Sequence, residues 1–169
     1  GVSMGGMVAQ RIAIDAPERV TSLILCSTAM NPLHSNREAF ADWISLAEAR
    51  NTPALMAAFG ESVYTPSFYT QYRDAIIASG EGATELDFSN FLISANAVLS
   101  FDVSDEIQKI VCPVLVLGAE EDRVLGAEAS YDLIEALHCE SYLYEGYGHA
   151  VYDEAPDFLD HIAAFLRSE

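Results

Sequence analysis

Ser3 stands between two glycines in the segment Gly1-Val2-Ser3-Met4-Gly5-Gly6, a setting that suits nucleophilic chemistry. A serine hydroxyl is a poor nucleophile at neutral pH. It needs a base to take its proton and donors to hold the oxyanion that forms. A serine on a sharp strand-to-helix turn meets part of that need, provided the residues two before and two after it are small. Gly1 and Gly5 occupy those places, and Gly6 allows close packing as the helix begins. The helix that follows points its free N–H groups toward the site. The backbone N–H of Met4 is the expected oxyanion donor. Two later segments offer the missing partners. Gly118-Ala119-Glu120-Glu121-Asp122-Arg123 supplies carboxylates, and Gly146-Tyr147-Gly148-His149 supplies an imidazole on a glycine-flanked loop. A carboxylate against the imidazole fixes its tautomer and stabilises the imidazolium. Asp122 is assigned that role, with Glu120 and Glu121 as its competitors. After the earlier apolar run, Ser27-Thr28 offers no carboxylate.

These groups can work only if the elements between them bring them to one edge. Val8 and Ile12, four apart with Ala9 and Ala13 beside them, predict a helix over 4–16 that Pro17 ends. Thr21–Cys26 and Val111–Leu117 are apolar runs read as buried strands, and Ser141–Tyr144 as a third. Pro113 falls near the start of its strand, where proline is tolerated. Ala127–Leu137 reads as a helix with Leu133 and Leu137 on one face. Residues 156–167 read as a closing helix, with Pro156 in its first turn and a stripe of Phe158, Ile162, Phe165 and Leu166. Strand alternating with helix implies parallel strands covered on both faces. A carboxylate or histidine in the loop after such a strand lies at the carboxyl end of the sheet, where these folds place their sites. Residues 31–100 break the rhythm. They hold Trp43, several Tyr and Phe, and helical patterns such as Phe91, Leu92, Ala95 and Leu99, and are read as a mostly helical insertion.

Composition narrows the partners. The 169 residues, 51% of them hydrophobic, suffice for one domain with a substantial core. A net charge of -18 argues against nucleic acid and against anionic membrane surfaces. No apolar stretch reaches the roughly 18 residues that span a bilayer. The three cysteines, Cys26, Cys112 and Cys139, have no metal-ligand spacing. Cys26 and Cys112 sit in apolar runs and read as buried small hydrophobes, which points to a reduced, cytoplasmic protein.

The segment GVSMGGMVAQRIAIDAPERVTSLILCSTA resembles the nucleophile elbow, helix and next strand of the α/β-hydrolase fold-1 family. CPVLVLGAEEDRV resembles that family's acid strand and loop, and YEGYGHAVYDEAPDFLDHIAAFL its histidine loop and last helix. The order serine, acid, histidine is the family's own. The resemblance implies an α/β fold, the C-terminal part of the α/β-hydrolase architecture. Residues 1–30 and 101–169 would form its core and 31–100 a helical cap that sets substrate choice. It assigns Ser3 as nucleophile, Asp122 as acid, His149 as base and the Met4 N–H as oxyanion donor. The implied function is a serine hydrolase that cleaves a small ester, lactone or related acyl compound through an acyl-enzyme, with no cofactor and no metal. Acyl transfer or carbon–carbon bond hydrolysis would use the same triad. The family places several strands before the elbow and draws its second oxyanion donor from a loop among them. That donor is therefore expected to be missing from this chain. A sheet of about three strands with an apolar edge is expected, to be covered by an N-terminal half or a dimer partner. A catalytically incomplete fragment or non-catalytic module is the alternative this departure allows.

The remaining chemistry-bearing residues take duller readings. His34, His138 and His161 are expected to be surface or packing residues. Tyr147 and Met4 flank the site and could line it, with core packing as an equal explanation. Trp43 and the other insertion aromatics could form a substrate pocket or plain core. Asp102 and Asp105 are expected as helix caps. Asp153, Glu154 and Asp157 are expected at the start of the last helix, favoured by its dipole.

Overall fold

Three short apolar runs pair side by side, and their alternation decides what packs on each face. The computed structural model describes residues 1–168. β1 (Leu23–Cys26), β2 (Val114–Ala119) and β3 (Glu140–Tyr144) form one parallel sheet in the order β1–β2–β3. Leu25 pairs with Val116, and Leu117 with Tyr142. Successive strand residues point to opposite faces. Val114 and Val116 of β2 therefore pack with α1 (Met4–Asp15) and α6 (Ala127–Leu137), through Ala13, Ile14 and Leu133. Leu115 and Leu117 meet Phe158 and Phe165 of α8 (Phe158–Ser168) and Val151 of the short α7 (Val151–Glu154). The parallel sheet with helices on both faces is the α/β arrangement expected from the sequence.

Between β1 and β2 the chain forms α2 (Arg37–Glu48), α3 (Thr52–Val63), α4 (Pro66–Ala78) and α5 (Glu85–Ser100). Each begins at a residue that caps it. The side chains of Asn36, Asn51, Thr65 and Thr84 accept from backbone N–H groups in the first turns. Thr84 and Asp87 complete a reciprocal capping box, and Pro66 opens α4 where its missing N–H costs nothing. The insertion buries Phe40, Trp43, Leu55, Val63 and Phe88 against Met7, Val124 and Ala150 of the sheet-bearing part.

Several boundaries differ from the sequence expectation. β1 starts at Leu23 rather than Thr21, and β2 runs 114–119 rather than 111–117. Val111 is 78% exposed and Cys112 only half-buried, so of the two cysteines read as buried only Cys26 is. Proline has no N–H to give a ladder; the Pro113 carbonyl accepts from Leu23, and pairing begins one residue later. The closing helix, α8, starts at Phe158 rather than at 156: Pro156 lies in the turn between α7 and α8 instead of in its first turn. Leu166 is exposed, so the stripe is Phe158, Ile162 and Phe165. Among the described residues no helix is long and apolar enough to cross a membrane.

The pair that revealed the period of α1, Val8 and Ile12, lies half exposed. The face toward the core carries Gly6, Met7, Gln10, Ala13 and Ile14. Small residues let this helix lie close. A Cβ on Gly6 would sit 2.6 Å from the Cβ and Cγ2 of Thr28, whose hydroxyl donates to the Ser3 carbonyl at 2.7 Å. A Cβ on Gly1 would run into the Gly5 carbonyl, whereas one on Gly5 would meet nothing within 4 Å. The demand for smallness thus falls on Gly1 and Gly6 and not on Gly5. Gly6→Val is expected to destabilise the fold by about 2–3 kcal/mol through overpacking, and Gly5→Ala by far less. Urea midpoints at equal m-value check this; equal shifts for the two variants would refute it.

Candidate active site

The turn at Ser3 is built where the chain leaves the sheet for α1. Val2 makes a single parallel bridge to Cys26 beside β1, and the Ser3 N–H donates to the Cys26 carbonyl at 2.9 Å. The next residue begins α1, so Ser3 must reverse direction in one step. It does so at φ 51°, ψ -125°, a region that L-residues with a Cβ avoid. Such strain persists only where surrounding contacts over-determine it, and it concentrates at functional sites. The Met4 N–H, first of the helix, has no carbonyl partner among the described residues.

Asp122 lies in the loop after β2, and His149 in the loop after β3. The structure brings both to Ser3. His149 Nε2 lies 3.0 Å from Ser3 Oγ, and Nδ1 lies 2.8 Å from Asp122 Oδ2. The other Asp122 oxygen accepts from the Val124 and Leu125 N–H groups at 2.8 and 3.0 Å. An ionised carboxylate only accepts, so the network puts the ring proton on Nδ1 and leaves Nε2 free to accept from the serine hydroxyl. Both ring and carboxylate are buried. Burial pushes the Asp122 carboxyl up, but the adjacent His149 and the two backbone N–H groups outweigh it. The net direction is below the ordinary carboxylate value. Glu120 and Glu121, the competitors for the acid, are exposed, and Glu120 accepts from Tyr131 instead.

Ser3 and His149 open onto a cavity of about 250 Å³ whose far wall is Phe40, Trp43, Phe59 and Phe91. The aromatic residues of the insertion are thus core and cavity wall together. The Met4 side chain lines this cavity and Tyr147 does not; its ring packs edge-on against Tyr144. A larger concavity of about 710 Å³ runs along α1 past Arg11 and Ile12, and its lining includes neither Ser3, Asp122 nor His149.

The other histidines stay away from the site. His34 contacts Asp132 at 2.9 Å, His138 terminates α6 in the left-handed conformation, and His161 stacks near Tyr142. Asp102 accepts from Ser104 N in a local turn rather than capping a helix. Two acidic residues take a different place from the one expected. Asp153 and Glu154 accept from Tyr64 and Thr65, at the turn between α3 and α4, instead of serving the last helix. Asp157 does precede α8, where it contacts His161.

That turn is a contact the sequence did not signal. Arg123, next to Asp122, donates to the carbonyls of Glu61 and Tyr64 at 2.7 and 2.6 Å. Ala150, next to His149, donates to the Val63 carbonyl at 3.0 Å. Residues 61–65 of the insertion therefore hold both loops that carry Asp122 and His149. The partners lie 59 to 89 positions apart along the chain, beyond any local pattern.

Residues 1–156 match the Hydrolase_4 family model, described as serine aminopeptidase, S33. RutD of Rhizobium rhizogenes, which bears the name of a carbamate hydrolase, is 29% identical over 175 residues. That alignment covers 99% of this chain and 66% of RutD. RutD of Variovorax paradoxus is matched over 52% of its length, so the chain spans about half to two thirds of these curated relatives. Among solved structures, MGS-M2, an α/β hydrolase from a deep-sea metagenome library, superposes with a TM-score of 0.86 at 21% identity, covering 98% of this chain and 63% of that one. The enol-lactonase of Burkholderia xenovorans gives 0.83 at 19% identity, with coverage of 99% and 64%. By sequence the chain belongs to the serine aminopeptidase S33 family of hydrolases, and by architecture to the α/β-hydrolase fold.

Proposed function

We infer that the chain carries the Ser-His-Asp machinery of a serine hydrolase acting on a small ester, lactone or related acyl compound. One observation carries this reading: the unbroken line of contacts from Ser3 Oγ through both ring nitrogens of His149 to Asp122. His149 Nε2 takes the hydroxyl proton as Ser3 Oγ attacks the carbonyl carbon, and the imidazolium so formed faces the Asp122 carboxylate. The Met4 N–H, at the positive end of α1, is the assigned donor to the oxyanion. The tetrahedral intermediate collapses as His149 gives its proton to the leaving oxygen. Water then enters, loses a proton to the same nitrogen, attacks the acyl-enzyme and releases the acid with Ser3 restored. The helices α2–α5 act as a cap that supplies the cavity wall. Relatives named for carbamate hydrolysis, enol-lactone opening and deacetylation share cleavage of an acyl bond, which supports the class of reaction.

A fluorophosphonate reagent tests the nucleophile. Labelling of the chain at Ser3, lost in Ser3→Ala, is the expected result. Labelling that survives the substitution, or none in the unaltered chain, would remove the assignment.

A further inference from the structure

We propose that the cavity beside Ser3 receives an uncharged aromatic acyl group about the size of one six-membered ring with a short link. This rests on the serine-hydrolase reading above and names its substrate class. The wall is the argument. Among the described residues, beyond Ser3 and His149, its polar side chains reduce to one, Ser94; the rest are apolar, including Phe40, Trp43, Phe59, Val98 and Val124. Among the described residues no Lys, Arg, Asp or Glu lines it. An ionised group brought into such a wall loses its hydration and finds no counter-charge. The wall therefore disfavours a carboxylate on the acyl portion, and equally a free ammonium, which would require a carboxylate or a ring of carbonyls to receive it.

Size and shape narrow the class further. An apolar cavity of about 150 Å³ holds a benzene ring, so the 250 Å³ here takes a ring and the short link to the carbonyl. The wall is aromatic on one side: Trp43 lies 4.9 Å from Phe40 and 5.0 Å from Phe59, ring centre to ring centre, with planes tilted by 57° and 52°. A flat ring extends such a tilted cluster by edge-to-face contacts that an alkyl chain cannot make. Ser94 lines the cavity, and its hydroxyl can meet one polar substituent.

The chain provides its own reporter. Trp43 is its single tryptophan and lines the cavity, so tryptophan emission reports on this site. The experiment uses Ser3→Ala, which cannot turn over, titrated with phenylacetamide and with succinamate, an acyl amide that carries a carboxylate. A saturable change in emission with phenylacetamide, at least tenfold tighter than with succinamate, is expected. Equal affinities, or no saturable response to phenylacetamide, would overturn the proposal. In the unaltered chain, kcat/KM for p-nitrophenyl phenylacetate should exceed that for the p-nitrophenyl monoester of succinate by tenfold or more. Ser94→Arg should narrow or reverse that ratio by placing a cation in the wall, with circular dichroism as the check on folding; an unchanged ratio in a folded variant counts against it. Failure of the triad is a separate result, because emission in Ser3→Ala reports the cavity whether or not Ser3 is the nucleophile.

Discussion

Removing the His149 imidazole is expected to lower kcat by about 10⁶-fold, the loss typical when the base of a serine triad is deleted. The two obvious replacements should differ in stability while agreeing in rate. His149 is 3% exposed and holds one oxygen of a buried carboxylate. His149→Ala leaves that oxygen with no partner, which costs on the order of 3 kcal/mol for a buried charged acceptor. In His149→Asn the side-chain amide reaches the position of Nδ1 and can still donate to Asp122, but nothing replaces Nε2. The alanine variant should therefore be slow and unstable, and the asparagine variant slow and near the stability of the unaltered chain. Steady-state kinetics and urea unfolding on the same preparations measure both. Full activity in either variant would end the assignment of His149 as base.

The second large effect concerns Asp122. In Asp122→Asn the amide can donate toward Nδ1, which then holds the tautomer with its proton on Nε2, facing Ser3. A nitrogen that carries a proton cannot accept one, and kcat is expected to fall about 10⁴-fold at neutral pH. The same residue makes a statement about acid stability. Its carboxyl is held below the ordinary value in the folded chain, so the folded state binds this proton less tightly than the unfolded state. The stability it contributes is fully present above the unfolded carboxylate pKa of about 3.9 and is lost as pH falls through the lowered folded value. The stability gap between the unaltered chain and Asp122→Asn should thus shrink as pH falls below about 4. A gap that widens on acidification would have the wrong sign.

Ser3 and His149 were readable in the sequence because each lies within two residues of glycine, and Asp122 because it follows an apolar strand, local arrangements that spacing alone can carry. Ser3 had Gly1 and Gly5, and His149 had Gly148. Asp122 was chosen over Glu120 and Glu121 in the sequence, but the backbone N–H groups of Val124 and Leu125 that hold its other oxygen are something a sequence does not display. The helical period of α1 was equally readable, but its buried face was not. Apolar spacing marks Val8 and Ile12, while the contact with the sheet is made by glycine, alanine and Gln10, whose amide donates to the carbonyls of Gly6 and Ala29. Close approach selects small residues, and small residues leave little trace in a hydrophobic pattern. The hold of Arg123 and Glu154 on the insertion was unreadable for another reason: a long-range hydrogen bond to a backbone carbonyl or N–H imposes no residue type on its partner.

That hold bears on how chains of this fold can be recombined. The turn at 61–65 supplies carbonyls to Arg123 and Ala150 and a hydroxyl and N–H to Glu154. A foreign insertion grafted between β1 and β2 would bring its own cavity wall, but would free the neighbours of Asp122 and His149 unless it recreated that turn. The boundary that matters for a chimaera is therefore not where the insertion leaves and rejoins the sheet. It runs through the middle of the insertion, with the α3–α4 turn inherited alongside Asp122 and His149 and the α2 and α5 faces open to exchange.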